Sequence, residues 1–281
     1  MKNPRNLVPN AITTFGLTCG LFALFVLVMP GDWGVSPLPL CLGLVLLAAF
    51  ADLLDGMVAR AIHAETEFGS LFDSLSDAIT FGVTPATVIL ASLQPERGSW
   101  MAWMAGLGAL LFAVCGVLRL VRFSIQHARA RTEVEIQQGM KHFTGLPIPA
   151  AALALLSLEY FWQSSWLETA LPSVTGAPSV HVGLLAGACF VLAYLMVSRI
   201  KFPSIKLLHF KVRSFTLAVG SAVASMALLF GLLHSLEWLA VFLTWGYVLL
   251  GCVLALLRWW AGPQSPALQE FEPEEEEELD N

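Results

Sequence analysis

Apolar residues run in long uninterrupted stretches along this chain, with polar residues gathered into short clusters between them. Neither the two-residue alternation of a half-buried strand nor the single apolar stripe of a soluble helix organises it. Eight stretches approach or exceed the roughly 20 residues that an α-helix needs to cross a bilayer. They lie near Thr13–Met29, Leu38–Arg60, Leu71–Leu93, Trp100–Phe123, Leu146–Trp162, Val180–Val197, Phe215–Leu233 and Leu236–Trp260. The expected fold is therefore all-α, a polytopic membrane helix bundle of about eight transmembrane helices. Lys2 and Arg5 precede the first stretch as in a signal peptide. That stretch ends Val28-Met29-Pro30 without small-residue cleavage chemistry, so it is read as a retained anchor.

Composition agrees with the pattern. Of the 281 residues, 57% are hydrophobic and only 13% charged, against about 25% charged in soluble domains. The net charge of −6 comes from the tail: eight of the 21 acids lie between Glu270 and Asp280, which leaves thirteen against 15 bases. This acidic run follows Pro263 and Pro266 and reads as a disordered, solvated tail over 261–281. The five cysteines, Cys19, Cys41, Cys115, Cys189 and Cys252, sit in apolar runs without CxxC or CxxH neighbours, so they read as small core residues. Tryptophans near span ends read as interfacial belts, whereas Trp103 and Trp245 fall within their spans.

Basic residues favour cytoplasmic loops. With eight spans, fourteen of the bases fall on the side that carries both termini and Arg97 alone falls opposite. Both termini and the ends of the second and third spans are thereby assigned to the cytoplasm. The expected divisions are a cytoplasmic segment 1–12, a six-helix core 13–213, two additional spans in 214–260 and the tail.

The second and third spans hold acids that a lipid-facing helix would not tolerate. Asp52, Asp55, Gly56 and Ala59 lie at i, i+3, i+4 and i+7, one stripe of a helix; Gly69, Asp73 and Asp77 lie at i, i+4 and i+8. An uncompensated carboxylate at membrane depth costs about 2.5–3.5 kcal/mol on insertion scales. Arg60 is the one nearby base on these two helices. If the helices form an antiparallel hairpin, the four carboxylates converge, and hard oxygen donors of this kind suit Mg²⁺ or Mn²⁺. Packing explains Gly56 or Ala59 taken singly. For the whole constellation, an enzyme site and an ion-transport pathway remain open.

The run Asp52-Leu-Leu-Asp55-Gly56-Met-Val-Ala59-Arg60, eight residues, Gly69, three residues, Asp73, three residues, Asp77 resembles the signature of the CDP-alcohol phosphotransferase family at every fixed position. The resemblance implies that family's fold. It also implies that Asp52, Asp55 and Asp73 bind a pair of divalent ions holding a CDP diphosphate. Asp77 would be the general base and touch a metal as well. Gly56, Ala59, Arg60 and Gly69 would line the nucleotide side, joined by Asn10 and Thr13 of Pro9-Asn10-Ala11-Ile12-Thr13. Asn10 reads equally as a helix N-cap. Many relatives carry Asn three residues after that Thr, where this chain has Gly16; the contact is either missing here or replaced by Thr14 or a water.

Further segments resemble the branch that uses serine as acceptor, the phosphatidylserine synthases. They are Leu71–Ala86, Cys115–Phe123, Phe143–Ala152 and Met196–Lys206. What the resemblance implies is transfer of the phosphatidyl group of CDP-diacylglycerol to L-serine, with membrane lipid as surroundings, a homodimer, and no nucleic-acid partner. Another alcohol or an archaeal lipid is the alternative within the family. Serine carries a carboxylate, and Arg119 and Arg122, one helical turn apart, are placed to meet it or a phosphate. They read equally as positive-inside anchors.

Overall fold

The computed structural model describes residues 7–29, 36–62, 66–96, 98–130, 143–202 and 237–261. Helix α1 (Leu7–Val28) is followed by α2 (Pro37–Ala61). The third span runs through α3 (Glu67–Asp77), a π-helical segment (Ala78–Val83) and α4 (Thr84–Leu93) without a break. Helix α5 (Trp100–Ala130) comes next. Beyond it lie strand β1 (Phe143–Thr144), α6 (Ile148–Trp162), and the short α7 (Ser165–Ala170) and α8 (Pro172–Thr175). The described chain ends with α9 (Pro178–Val197), β2 (Lys201–Phe202) and α10 (Glu237–Ala261).

The molecule is an all-α polytopic membrane bundle. Six helices are long and apolar enough to cross a membrane, and α6 is a shorter apolar helix of 15 residues. Of the eight expected spans, the one at Phe215–Leu233 lies outside the described residues, as do the acidic tail and Lys2 and Arg5. Helix α1 already includes Leu7, six residues before the expected Thr13. This overturns Asn10 as an N-cap: it lies inside the helix. The pair β1–β2, antiparallel with Phe143 opposite Phe202, is the one departure from pure helix among the described residues.

Lipid replaces water around such a bundle, so large apolar side chains point outward and small ones inward. On α1 the buried positions Pro9, Thr13, Gly16, Gly20 and Ala23 repeat every three or four residues, forming one face packed along α2. A Cβ on Gly20 would lie 2.6 Å from Thr80 Oγ1 and 3.0 Å from Thr80 Cα. Glycine is what lets α1 cross the π segment at backbone contact. Helix α5 packs along α9, and α10 packs on α6. Polar bonds tie α10 into the bundle: Trp245 Nε1 donates to the Ala154 carbonyl at 2.9 Å, and the Ser157 and Thr244 hydroxyls lie 2.8 Å apart. Trp245 and Trp103 both lie within their spans, as their positions suggest, Trp245 packed into the bundle and Trp103 on its outer face.

Near one end of the bundle the α5–α9 contact is locked by Arg122. Its Nη1 donates to the Val197 carbonyl at 2.8 Å and its Nη2 to that of Ser198 at 3.3 Å, covering the C-terminus of α9. Gly145 turns the chain here with φ +87°, a conformation glycine adopts freely, and a Cβ at this position would run into the Met196 carbonyl. At the other end, the fully buried Glu159 carboxylate of α6 is held by Ser92 of α4, by Gln163 Nε2 at 2.7 Å and by His181 Nε2 of α9 at 2.6 Å. The His181 ring stacks on Trp162 with 4.8 Å between centroids.

Candidate active site

The hairpin of α2 and α3 carries the acids to one place. Oxygen atoms from Asp52, Asp55 and Asp73 all lie within 4.8 Å of one another. Asp77, one turn beyond Asp73, lines the same cleft together with Thr13, Gly16, Ala48, Ser76 and Thr80. The expected facing of the two stripes is present. Sequence spacing could place each pair of acids on a stripe; the rotation that aims the stripes at each other comes from packing of α1 against both α2 and α3.

Helix α1 also contributes chemistry. The Thr13 hydroxyl donates to Asp55 Oδ2 at 2.6 Å, with the Pro9 carbonyl at 3.1 Å. This donor fixes Asp55, which is only 5% exposed. Asn10 sits against the start of α3: a Cβ on Gly69 would lie 3.3 Å from Asn10 Oδ1 and 3.0 Å from Thr66 Oγ1. Thr66 is the N-cap of α3, its hydroxyl accepting from the Gly69 N–H at 3.0 Å. Gly69 thus leaves room where α1 meets α3. Gly56 and Ala59 are half-buried further along α2. Arg60 stands in the last turn of α2, and its side chain lies outside the described residues.

Thr14 does not compensate for Gly16. It is exposed and bonds back to the Asn10 carbonyl at 2.7 Å, while Gly16 packs against Ala48 and Ala51. A small residue here draws α1 onto α2 beside the acids.

Of the two arginines on α5, Arg119 is the one turned toward the acids. It is 8% exposed, interacts electrostatically with Asp77 and Asp52, and has Phe123 beneath its guanidinium at 6.0 Å. Arg122 is placed on the α9 carbonyls described above. The two buried side-chain polar atoms without a hydrogen-bond partner among the described residues, Arg119 Nε and Thr80 Oγ1, both belong to groups beside this cleft.

Four carboxylates facing one buried guanidinium leave a surplus of negative charge in a medium that solvates it poorly. The donor set fits a divalent cation: the oxygens are hard, and their spread of 4.8 Å is near the about 4–5 Å that separates opposite ligands of such ions. Asp52, Asp55 and Asp73 would hold the ion, with Asp77 beside them.

Ser76 and Thr80 are cleft residues that the sequence reading passed over. Their signal is a four-residue repeat, Ser76, Thr80, Thr84, buried on the same span as Asp73 and Asp77. The π segment that turns Thr80 toward the cleft has no signature in the sequence.

Comparison with known proteins agrees with this geometry. The sequence profile described as CDP-alcohol phosphatidyltransferase matches residues 6–198. A CDP-diacylglycerol–serine O-phosphatidyltransferase of Bacillus subtilis (strain 168) is 30% identical over 206 residues, covering 73% of this chain and 92% of that protein. A Mycobacterium tuberculosis (strain ATCC 25618 / H37Rv) protein with the same description is 33% identical over 190 residues, covering 61% of this chain; the match spans 60% of that protein's length. An archaetidylserine synthase of Methanothermobacter thermautotrophicus is 35% identical over 167 residues, covering 58% and 57%.

Proposed function

The chain belongs to the CDP-alcohol phosphatidyltransferase family, and from that premise we propose that it transfers the phosphatidyl group of CDP-diacylglycerol to the hydroxyl of L-serine, forming phosphatidylserine and CMP. The observation that carries the proposal is the convergence of Asp52, Asp55 and Asp73 within 4.8 Å, with Asp77 on the same cleft. Serine as acceptor is supported by the descriptions of the relatives above. They vary the lipid, diacylglycerol or archaetidyl, and keep serine. An archaeal donor lipid is therefore the alternative within the same chemistry.

In this reading Asp52, Asp55 and Asp73 hold Mg²⁺ or Mn²⁺, as one or two ions. The chemistry supplied by a bound cation is neutralisation of the diphosphate and of the departing CMP. Asp77 takes the proton of the serine hydroxyl as its oxygen bonds to the β-phosphorus and the bond from that phosphorus to CMP breaks. Thr13 keeps Asp55 aimed at the cleft. Asn10, Ala59, Arg60 and Gly69 border the nucleotide. Arg119, desolvated and in a planar fork geometry, faces the serine carboxylate or the phosphate; Arg122 serves it indirectly by fixing α5 against α9. The cleft opens to the cytoplasm, and the working unit is a homodimer.

The test is release of CMP by the purified protein with CDP-diacylglycerol and a panel of alcohols, with Mg²⁺ or Mn²⁺. Serine should be the acceptor that stimulates release, and chelation by EDTA should stop it. Release driven by another alcohol, with serine at background, would refute the acceptor assignment.

A further inference from the structure

A threonine in a membrane helix ordinarily turns its hydroxyl back to the carbonyl four residues earlier. Thr14, Thr18, Thr87 and Thr244 all do so, at 2.7 to 2.9 Å. Thr80 does not. It lies in the π segment, is 2% exposed, and its hydroxyl has no hydrogen-bond partner among the described residues. The next threonine, Thr84, satisfies itself on the Ile79 carbonyl at 3.0 Å, and the Thr84 N–H closes the π turn on that same carbonyl. Among the described residues Thr80 is thus a buried hydroxyl left open, and an unmade bond of this kind is unfavourable.

Its position gives the reason. Thr80 lines the cleft with Asp52, Asp55, Asp73 and Asp77. It is admitted by Gly20, where any side chain would strike it. Two features that each cost stability, a π winding and a glycine inside a helix, coincide at this one hydroxyl. A hydroxyl oxygen is a hard donor of the same class as the carboxylates, without adding charge. It therefore suits a divalent ion or an ion-bound water already facing three anionic oxygens.

We propose that the Thr80 hydroxyl is a further oxygen donor to the divalent-cation site formed by Asp52, Asp55 and Asp73, as a direct ligand or through an ion-bound water. The proposal rests on the reading of the acid cluster as a cation site. It adds a neutral donor from the π segment, and so couples the shape of that segment to cation affinity.

The experiment titrates Mn²⁺ into the full-length protein in detergent, without lipid donor or acceptor, and follows free Mn²⁺ by electron paramagnetic resonance. Wild type should bind and Asp73→Asn should lose binding. Thr80→Val, which keeps the shape and removes the oxygen, should weaken affinity about tenfold, as loss of a supporting partner does at other metal sites. Thr80→Ser should restore it to within about twofold of wild type. If the valine variant does not fold, Thr80→Ala is read in its place with the same expectation. Equal affinity of the hydroxyl-free variant and wild type, with Asp73→Asn still defective, overturns the role of Thr80 and leaves the acid site standing. Absence of Mn²⁺ binding by wild type overturns both.

Discussion

Asp77 differs from its three neighbours in what surrounds it. Asp52, Asp55 and Asp73 approach one another closely enough to share an ion, whereas Asp77 lies one turn further into the bundle, with Arg119 as its cationic neighbour. A carboxylate set slightly apart keeps an oxygen free for an incoming hydroxyl, which is what a general base requires. Asp77→Asn preserves size and removes basicity, so it should lower kcat by at least about 100-fold, the low end of general-base contributions. Cation binding and the unfolding temperature in detergent should stay near wild type. Near-normal turnover would remove Asp77 as the base. The four acids were legible in the sequence because charge in an apolar helix is conspicuous and its spacing is local. Thr80 was not, because its meaning depends on a bond it fails to make. Arg119 and Arg122 look alike on paper, one turn apart, yet one faces the acids and the other caps α9. Only the rotation of α5 separates them.

The elements show the same division between local and non-local information. Apolar length placed α2, α9 and α10 within about two residues of their observed bounds. The π segment, the two-residue strands and the buried tie of Glu159 to Ser92 and His181 depend on contacts between spans, which no hydrophobic pattern records. The π segment is the element on which most depends, because it follows Asp77 directly and meets α1 at Gly20. Gly20→Ala inserts a methyl group where Thr80 Cα lies 3.0 Å away. Overpacking of this kind costs about 1–3 kcal/mol. The alanine variant should therefore unfold at lower temperature in detergent and lose turnover, whereas Gly183→Ala on α9, with nothing within 4 Å of its Cβ, should change neither. Equal unfolding temperatures for Gly20→Ala and wild type would show that α1 does not cross the π segment so closely.

At the scale of the whole molecule, the two ends of the bundle carry different chemistry. Asp77 and Ser92 belong to one continuous span, fifteen residues and about 22 Å apart at helical rise. The cleft gathers around the first, and the hydrogen-bonded Glu159 cluster around the second. The bases sort by the same axis. Among the described residues, Arg60, Arg119, Arg122 and Arg199 belong to the cleft end. Since retained bases mark the cytoplasmic side, the loop joining α2 to α3 should face the cytoplasm. Two single cysteines placed in a background freed of the five native ones test this in intact cells with a membrane-impermeant maleimide. Glu67→Cys, exposed in the first turn of α3, should label only after the membrane is opened; Glu96→Cys, exposed between α4 and α5, should label from outside. The reverse pattern would place the acid cleft on the outer face, away from any cytoplasmic pool of nucleotide-linked lipid, and the orientation drawn from the bases would be wrong.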